Sequence, residues 1–393
     1  MVLVLLVATL GAYSFGRSQS PAGIGPEDRE AVSLYAEALD TVRDDYVDQD
    51  AVDPKKQTYA AIEGMLDSLG DEGHTRFLTP EEVKKNRAGL SGTYVGIGVQ
   101  LEDRDGRAVI AAPIEGSPAD QAGIETGDVV VAVNGKSVRD AELSEIVDRV
   151  KGPEGTNVDL TVERDSRERE FSLQRAEIRS PVASWAIIPG TDVAQVRLAS
   201  FSNDSAKELR EALDEARIAG ARRFVLDLRS NPGGRLDQAV EIAGLFLEPG
   251  KVVYIRQDAS GEREKVEVEA GPEPLDVPLT VLVNEGSASS SEILAGALRD
   301  NGRATIIGAK TFGTGTVLSQ FTLRDGSALL LGVSEWLTPD GDFIRESGIE
   351  PDVKVELGKD DELVTPTGAR DLSRREILER DPQLRRALQE LPD

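Results

Sequence analysis

Three observations predict a mixed α/β fold with more than one domain. The apolar residues first recur at helical spacing, change to a strand period near Gly92, and beyond residue 177 alternate between strand-like and helix-like runs. The 38 glycines among 393 residues imply many tight turns rather than a bundle of helices. The length exceeds what one hydrophobic core usually serves, so several domains are expected.

Met1 to Gly16 form an apolar run closed by Arg17 and polar residues, which marks residues 1–20 as an export signal or a short membrane anchor. At roughly 1.5 Å per residue the run falls short of a hydrocarbon core of about 30 Å, so cleavage and anchoring both stay open. Val32, Tyr35, Leu39, Val42 and Tyr46 then follow helical spacing, and Tyr59, Ile62, Leu66 and Leu69 continue it after Pro54. Thr79-Pro80-Glu81-Glu82 carries the cap and first-turn proline of a third helix. Residues 27–89 are read as a helical region.

From residue 90 to 177 a β-rich module is expected. Its strands are Val99 with Leu101, Val109 to Ala111, and Val129 to Val133 before the turn Asn134-Gly135. One helix over Ala141 to Lys151 and a closing hairpin through Val158 to Glu163 and Glu170 to Gln174 complete it. Residues 178–357 form an α/β core. Its expected strands are Val193 to Leu198, Phe224 to Leu228, Thr280 to Val283, Thr305 to Ile307 and Ala328 to Val333; its expected helices are Ala206 to Ala216, Leu236 to Leu247 and Ser291 to Arg299. Residues 358–393 turn charged, and Ser373 to Leu391 reads as a surface helix or a loosely held tail.

Composition removes several functions. A net charge of −26 opposes phosphate backbones, so nucleic acid is not an expected partner. Without cysteine there is no thiolate nucleophile, disulfide or cysteine zinc site. The single histidine, His74, argues against His-based metal sites and reads as a polar residue lining a turn rather than the partner of a catalytic serine. No metal or other cofactor is expected.

Within the β-rich module, Val95-Gly96-Ile97-Gly98 enters a strand with glycines on both sides of an apolar residue. Such a turn can point successive N–H groups at a carboxylate, beside a strand edge that pairs with an extended peptide. Gly116-Ser117-Pro118-Ala119, Ala122-Gly123-Ile124, Gly127-Asp128-Val129-Val130 and Val133-Asn134-Gly135 follow in order. The segment resembles a PDZ domain. The resemblance implies that a chain end lies between the strand at Ile97 to Leu101 and the helix near Leu143 to Val150.

In the core, Val283-Asn284-Glu285-Gly286-Ser287-Ala288-Ser289-Ser290-Ser291-Glu292 runs from a buried strand through small residues into a helix. A serine there can expose its hydroxyl beside helix N–H groups, or simply cap the helix with help from Glu292. Asp227-Leu228-Arg229-Ser230-Asn231-Pro232-Gly233-Gly234 is a second strand end with glycine donors. With Thr311-Phe312-Gly313-Thr314-Gly315-Thr316, Thr338-Pro339-Asp340-Gly341 and Gly348-Ile349-Glu350-Pro351-Asp352, the chain from residue 30 to 357 resembles the C-terminal processing peptidases. That resemblance implies a crotonase-like or Clp-protease-like core and a serine endopeptidase with protein or peptide substrates. It also implies Ser289 as nucleophile, Glu292 one helical turn on, and an oxyanion held by Ser290 N–H and by Gly233 or Gly234.

The sequence departs from the family at the base. The family's lysine and its orienting glutamine fall at Thr314 and Leu318. Lys310 is the nearest spare amine, and Ser319 and Gln320 are the polar residues near the glutamine position. Two readings follow: a peptidase whose serine is activated differently, or a non-catalytic protein that binds tails through its PDZ module. An extracytoplasmic location follows from residues 1–20, with membrane association and homo-oligomerisation left open.

Overall fold

The computed structural model describes residues 25–71, 74–104, 106–114, 116–139, 141–179, 181–359, 361–369 and 372–391. The apolar run of residues 1–16 lies outside them. Among the described residues no helix is long and apolar enough to cross a membrane. The chain divides into two units, Met1–Ser68 and Leu69–Asp393.

In the first unit the expected helices form over Pro26–Asp45 and Pro54–Asp67. Each starts with proline, whose missing N–H is harmless in a first turn. Asp53 caps the second by accepting from Lys55 N–H at 2.8 Å and Lys56 N–H at 3.1 Å.

The second unit opens with the strand Arg76–Leu78 and the helix Pro80–Ser91. Thr79 and Glu82 close a reciprocal cap, as the sequence predicts, and Gly92 ends the helix in the left-handed region at φ 74°. The β-rich module follows. Its sheet runs in the order Val99–Arg104, Arg107–Pro113, Val129–Val133, Asn157–Arg164 and Arg167–Gln174. The helix Leu143–Val150 drives Ile146 and Val150 into a core with Ile97, Ile110, Val130 and Leu160. A ribbon of Thr93–Gly96 against Ala176–Arg179 closes the module, a pairing between distant segments that local periodicity does not reveal.

The core is built on a six-stranded sheet in the order Ala183–Ile187, Val193–Leu198, Arg223–Asp227, Leu279–Val283, Thr305–Gly308 and Val353–Lys354. All but the first pair run parallel. One face is covered by the helices Ser205–Ile218, Leu236–Ala243 and Ser290–Asp300, burying Leu209, Ile242 and Leu294. The middle helix is shorter than expected, because Leu245, Phe246 and Leu247 are buried in turns after it. A second sheet takes Arg76–Leu78, Ala328–Leu337, Val252–Gln257 and Arg263–Glu267, with Thr316–Thr322 paired to Ala328–Leu337.

The C-terminal segment is not a loosely held tail. The helices Arg374–Arg380 and Pro382–Glu390 bury Ile377, Leu384 and Ala387 against Val193, Val225, Leu282 and Ile307 on the other face of the parallel sheet. Apart from the buried cap Asp381, their charge faces solvent, and the apolar stripe beneath it supplies the missing layer of the core.

Candidate active site

The parallel strands Arg223–Asp227, Leu279–Val283 and Thr305–Gly308 deliver three loops from their carboxyl ends, the position where such sheets place their sites. Ser289 stands in the second loop, at the start of the helix Ser290–Asp300, with φ 54° and ψ −117°. A non-glycine residue there stores about 1–3 kcal/mol of strain, so its surroundings must impose the conformation. They do so through Asn284 N–H, which donates to Ser287 Oγ at 3.0 Å, while that hydroxyl donates to Leu228 O at 2.8 Å. Ala288 N–H and Ser291 Oγ both donate to Asn231 O, at 3.0 and 2.8 Å. Buried Asn231 thus organises both loops. The sequence marked it only as part of a turn.

The Gly233–Gly234 turn lies directly against Ser289. A Cβ on Gly233 would fall 2.8 Å from Ser289 Cβ and 2.9 Å from Ser290 N, and φ is 90° there, so only glycine fits. Gly233 N–H is already committed to Asn231 Oδ1 at 2.9 Å. Gly234 N–H and Ser290 N–H meet no protein acceptor among the described residues, which leaves them as the available donor pair.

Glu292 is fully buried, one turn along the helix. Its Oε2 accepts from Ser289 N–H at 2.8 Å and Thr314 N–H at 3.0 Å; its Oε1 accepts from Thr311 Oγ1 at 2.6 Å and Gly313 N–H at 2.7 Å. Four donors fill the four acceptor positions of a carboxylate. Glu292 therefore staples the loop at Thr311 to Thr314 onto the turn at Ser289, with each of its lone pairs already engaged.

A cavity of about 360 Å³ opens at Ser289, walled by Leu90, Leu236, Ile293, Thr316, Leu318 and Trp336 among others. Thr314 is buried, its Oγ1 accepting from Ser289 N–H at 3.0 Å. Lys310 is half-buried just beyond the strand Thr305–Gly308 and does not line the cavity. His74 is buried, as its turn-lining assignment expects, yet its Nδ1 lies 3.4 Å from Thr316 Oγ1, on the cavity wall. The same nitrogen is 3.7 Å from Asp71 Oδ1. Sequence spacing could not show this approach, because 242 residues separate His74 from Thr316.

The second cavity, about 350 Å³, lies in the β-rich module between the edge strand Val99–Arg104 and the helix Leu143–Val150. Gly96, Ile97 and Gly98 line it; Val95 instead pairs with Glu177 in the ribbon, and Tyr94 and Lys151 join the lining unforeseen. The carbonyls of Ile97 and Gly98 face inward, accepting from Ala119 N–H at 2.9 Å and Ile114 N–H at 2.8 Å. Across a trans peptide the next N–H points the opposite way, so those of Gly98 and Val99 face the cleft.

A serine at a strained strand-to-helix turn against a glycine pair, accompanied by a β module with a cleft beside its edge strand, defines a serine peptidase with a PDZ domain. Comparison with known proteins places it within that class. Peptidase family S41 matches over residues 192–355 and the PDZ domain over residues 109–164. A Staphylococcus aureus (strain COL) protein named "Probable CtpA-like serine protease" is 38% identical over 359 residues, covering 91% of this chain and 71% of that one. A Staphylococcus haemolyticus protein of the same name is 37% identical, covering 90% and 71%. A solved protein from Bacteroides fragilis assigned to the S41 proteases shares the fold at 18% identity and a TM-score of 0.52, covering 81% of this chain and 90% of that one. The chain belongs to peptidase family S41.

Proposed function

We propose that this chain is an endopeptidase that cleaves unstructured C-terminal regions of proteins, holding the free chain end in the PDZ cleft and attacking the peptide carbonyl with Ser289 Oγ. The observation that carries the reading is the contact between the strained Ser289 and the Gly233–Gly234 turn. In it, the hydroxyl adds to the carbonyl carbon as its proton passes to a base, and the oxyanion takes the N–H groups of Ser290 and Gly234. Collapse expels the amine, which takes up the proton. Water then hydrolyses the acyl-serine by the same route.

The base in this mechanism is not at position 314. Lys310 is one candidate and His74 the other, and the contact of His74 with the cavity wall through Thr316 favours the imidazole. Residues 1–20 act as export signal or anchor, giving an extracytoplasmic enzyme. The second reading, a tail-binding protein without catalysis, is favoured by Thr314 alone. An unstructured peptide with a free apolar C-terminus separates the two. Wild type should cut it and Ser289→Ala should bind it without cutting. Cutting by Ser289→Ala defeats the nucleophile assignment, and binding without cutting by wild type selects the second reading.

A further inference from the structure

The strand Arg223–Asp227 passes into the glycine turn through Arg229, whose side chain is wholly buried. Asp227 holds one edge of the guanidinium: Nε donates to Oδ1 at 2.9 Å and Nη2 to Oδ2 at 2.7 Å, and the Arg229 backbone N–H also reaches Oδ1 at 3.0 Å. The other edge is held from the C-terminal helices. Nη1 donates to Asp381 Oδ1 at 3.0 Å and Oδ2 at 2.8 Å, and to Gln383 Oε1 at 3.2 Å. Asp381 is itself fixed, capping the helix Pro382–Glu390 through Leu384 N–H at 2.8 Å and accepting Val364 N–H at 3.0 Å.

Buried ion pairs contribute little net stability, since desolvation consumes most of the attraction and apolar residues of similar volume serve as well. What this one supplies is a fixed place for the chain between Asp227 and Gly234. Leu228 O, the residue before Arg229, receives the Ser287 hydroxyl, and Asn231, two residues after it, carries Ala288, Ser291 and Gly233. A displacement of Arg229 moves the supports of both halves of the site. Burial pushes the Asp381 carboxyl up, against the opposing pull of Arg229 and of the N–H groups of Leu384 and Val364.

We propose that Arg229 and Asp381 are a positioning pair through which the C-terminal helices hold the Gly233–Gly234 turn against Ser289. The proposal rests on the peptidase reading above for its kinetic test but not for its structural one. In the full chain, Asp381→Asn keeps the size and removes the charge. The kcat for a tail peptide should fall at least tenfold while KM stays within about twofold, because misplacing a site by about 1 Å can cost on the order of a hundredfold. Amide exchange should quicken over residues 228–235 and stay unchanged over the PDZ strand Val129–Val133. Unchanged kcat with unchanged exchange overturns the pair, and so does exchange that quickens equally throughout the chain. If Asp381→Asn does not fold, Gln383→Glu, which keeps the acceptor for Arg229 at 3.2 Å and removes the donation to Val355 O at 2.8 Å, and Gln383→Leu, which removes both, are compared by the same criteria, and the difference between them reads the Arg229 contact. A wild type that cuts nothing defeats the peptidase reading, and the exchange comparison then decides the pair alone.

Discussion

The Thr314 hydroxyl accepts a 3.0 Å hydrogen bond from the backbone N–H of Ser289. A side chain at 314 therefore starts beside Ser289, and Leu318 lines the cavity that opens there. These are the two positions at which the family resemblance expects a lysine and a glutamine. Thr314→Lys with Leu318→Gln should raise kcat by about a hundredfold, the range of a positioned general base, with KM little changed. Peptide hydrolysis measured for wild type and double variant checks this; no gain in a folded double variant would mean that the cavity no longer admits the lysine.

Glu292 gives a different expectation. Each of its oxygens faces two donors, so an amide at this position must turn its NH2 toward donors whichever way it flips. Glu292→Gln should lower stability by about 2–6 kcal/mol, because it leaves two buried donors unpaired at about 1–3 kcal/mol each. Urea unfolding measures the loss, and a Gln variant as stable as wild type would show that the staple is dispensable.

In the PDZ module, Asp128 is buried and held by Arg164, Nε to Oδ1 at 2.6 Å and Nη2 to Oδ2 at 2.7 Å, with Glu125 N–H at 3.0 Å. Burial alone would raise its carboxyl, but Arg164 and the backbone donor outweigh this and keep it below the usual carboxylate range. A depressed carboxylate stabilises the fold above its unfolded pKa of about 3.9 and loses that contribution as pH falls through the folded value. Arg164→Leu should therefore cost about 2–3 kcal/mol near pH 7. The gap to wild type should narrow below about pH 4, as Asp128 takes up a proton. Denaturation midpoints across this range test the sign; a gap that widens in acid contradicts it.

The PDZ cleft carries its own test. The outward N–H groups of Gly98 and Val99 beside a strand edge suit a chain-terminal carboxylate. Amidating the C-terminus of a bound peptide should weaken affinity at least tenfold by calorimetry. Equal affinities would remove end recognition from the mechanism.

The sequence made much of this legible. The cap Thr79-Pro80-Glu81-Glu82, the strand and helix alternation of the core and the turn at Ser289 all rest on local periodicity and turn chemistry, which survive without knowledge of the fold. What stayed hidden depends on long-range meeting. The charged surface of residues 373–391 masked the stripe Ile377, Leu384 and Ala387, and the ribbon pairing Thr93–Gly96 with Ala176–Arg179 has no local signature. The approach of His74 to Thr316 belongs to the same class.

That approach carries the last prediction. Asp71 Oδ1 lies 3.7 Å from His74 Nδ1, and Asp71 is itself anchored by Arg345 Nη2 at 2.8 Å and the Thr75 hydroxyl at 2.5 Å. An acceptor on this side fixes which way the ring is turned and favours the proton on Nδ1. The ring is further fixed by Phe312, whose centroid is 6.0 Å away, in the same loop as Thr314. Lys310 has no comparable access to the cavity. His74→Ala should lower kcat by about a hundredfold or more, and added imidazole should restore part of it, since a free base can enter the space vacated. Lys310→Met should stay within about threefold of wild type, and Asp71→Asn should fall between the two, as expected for a group that orients the base without taking the proton. Peptide hydrolysis with and without imidazole distinguishes the candidates. Loss in Lys310→Met with full activity in His74→Ala would return the role to the lysine. Loss in His74→Ala that imidazole does not relieve would reduce the histidine to a wall of the cavity.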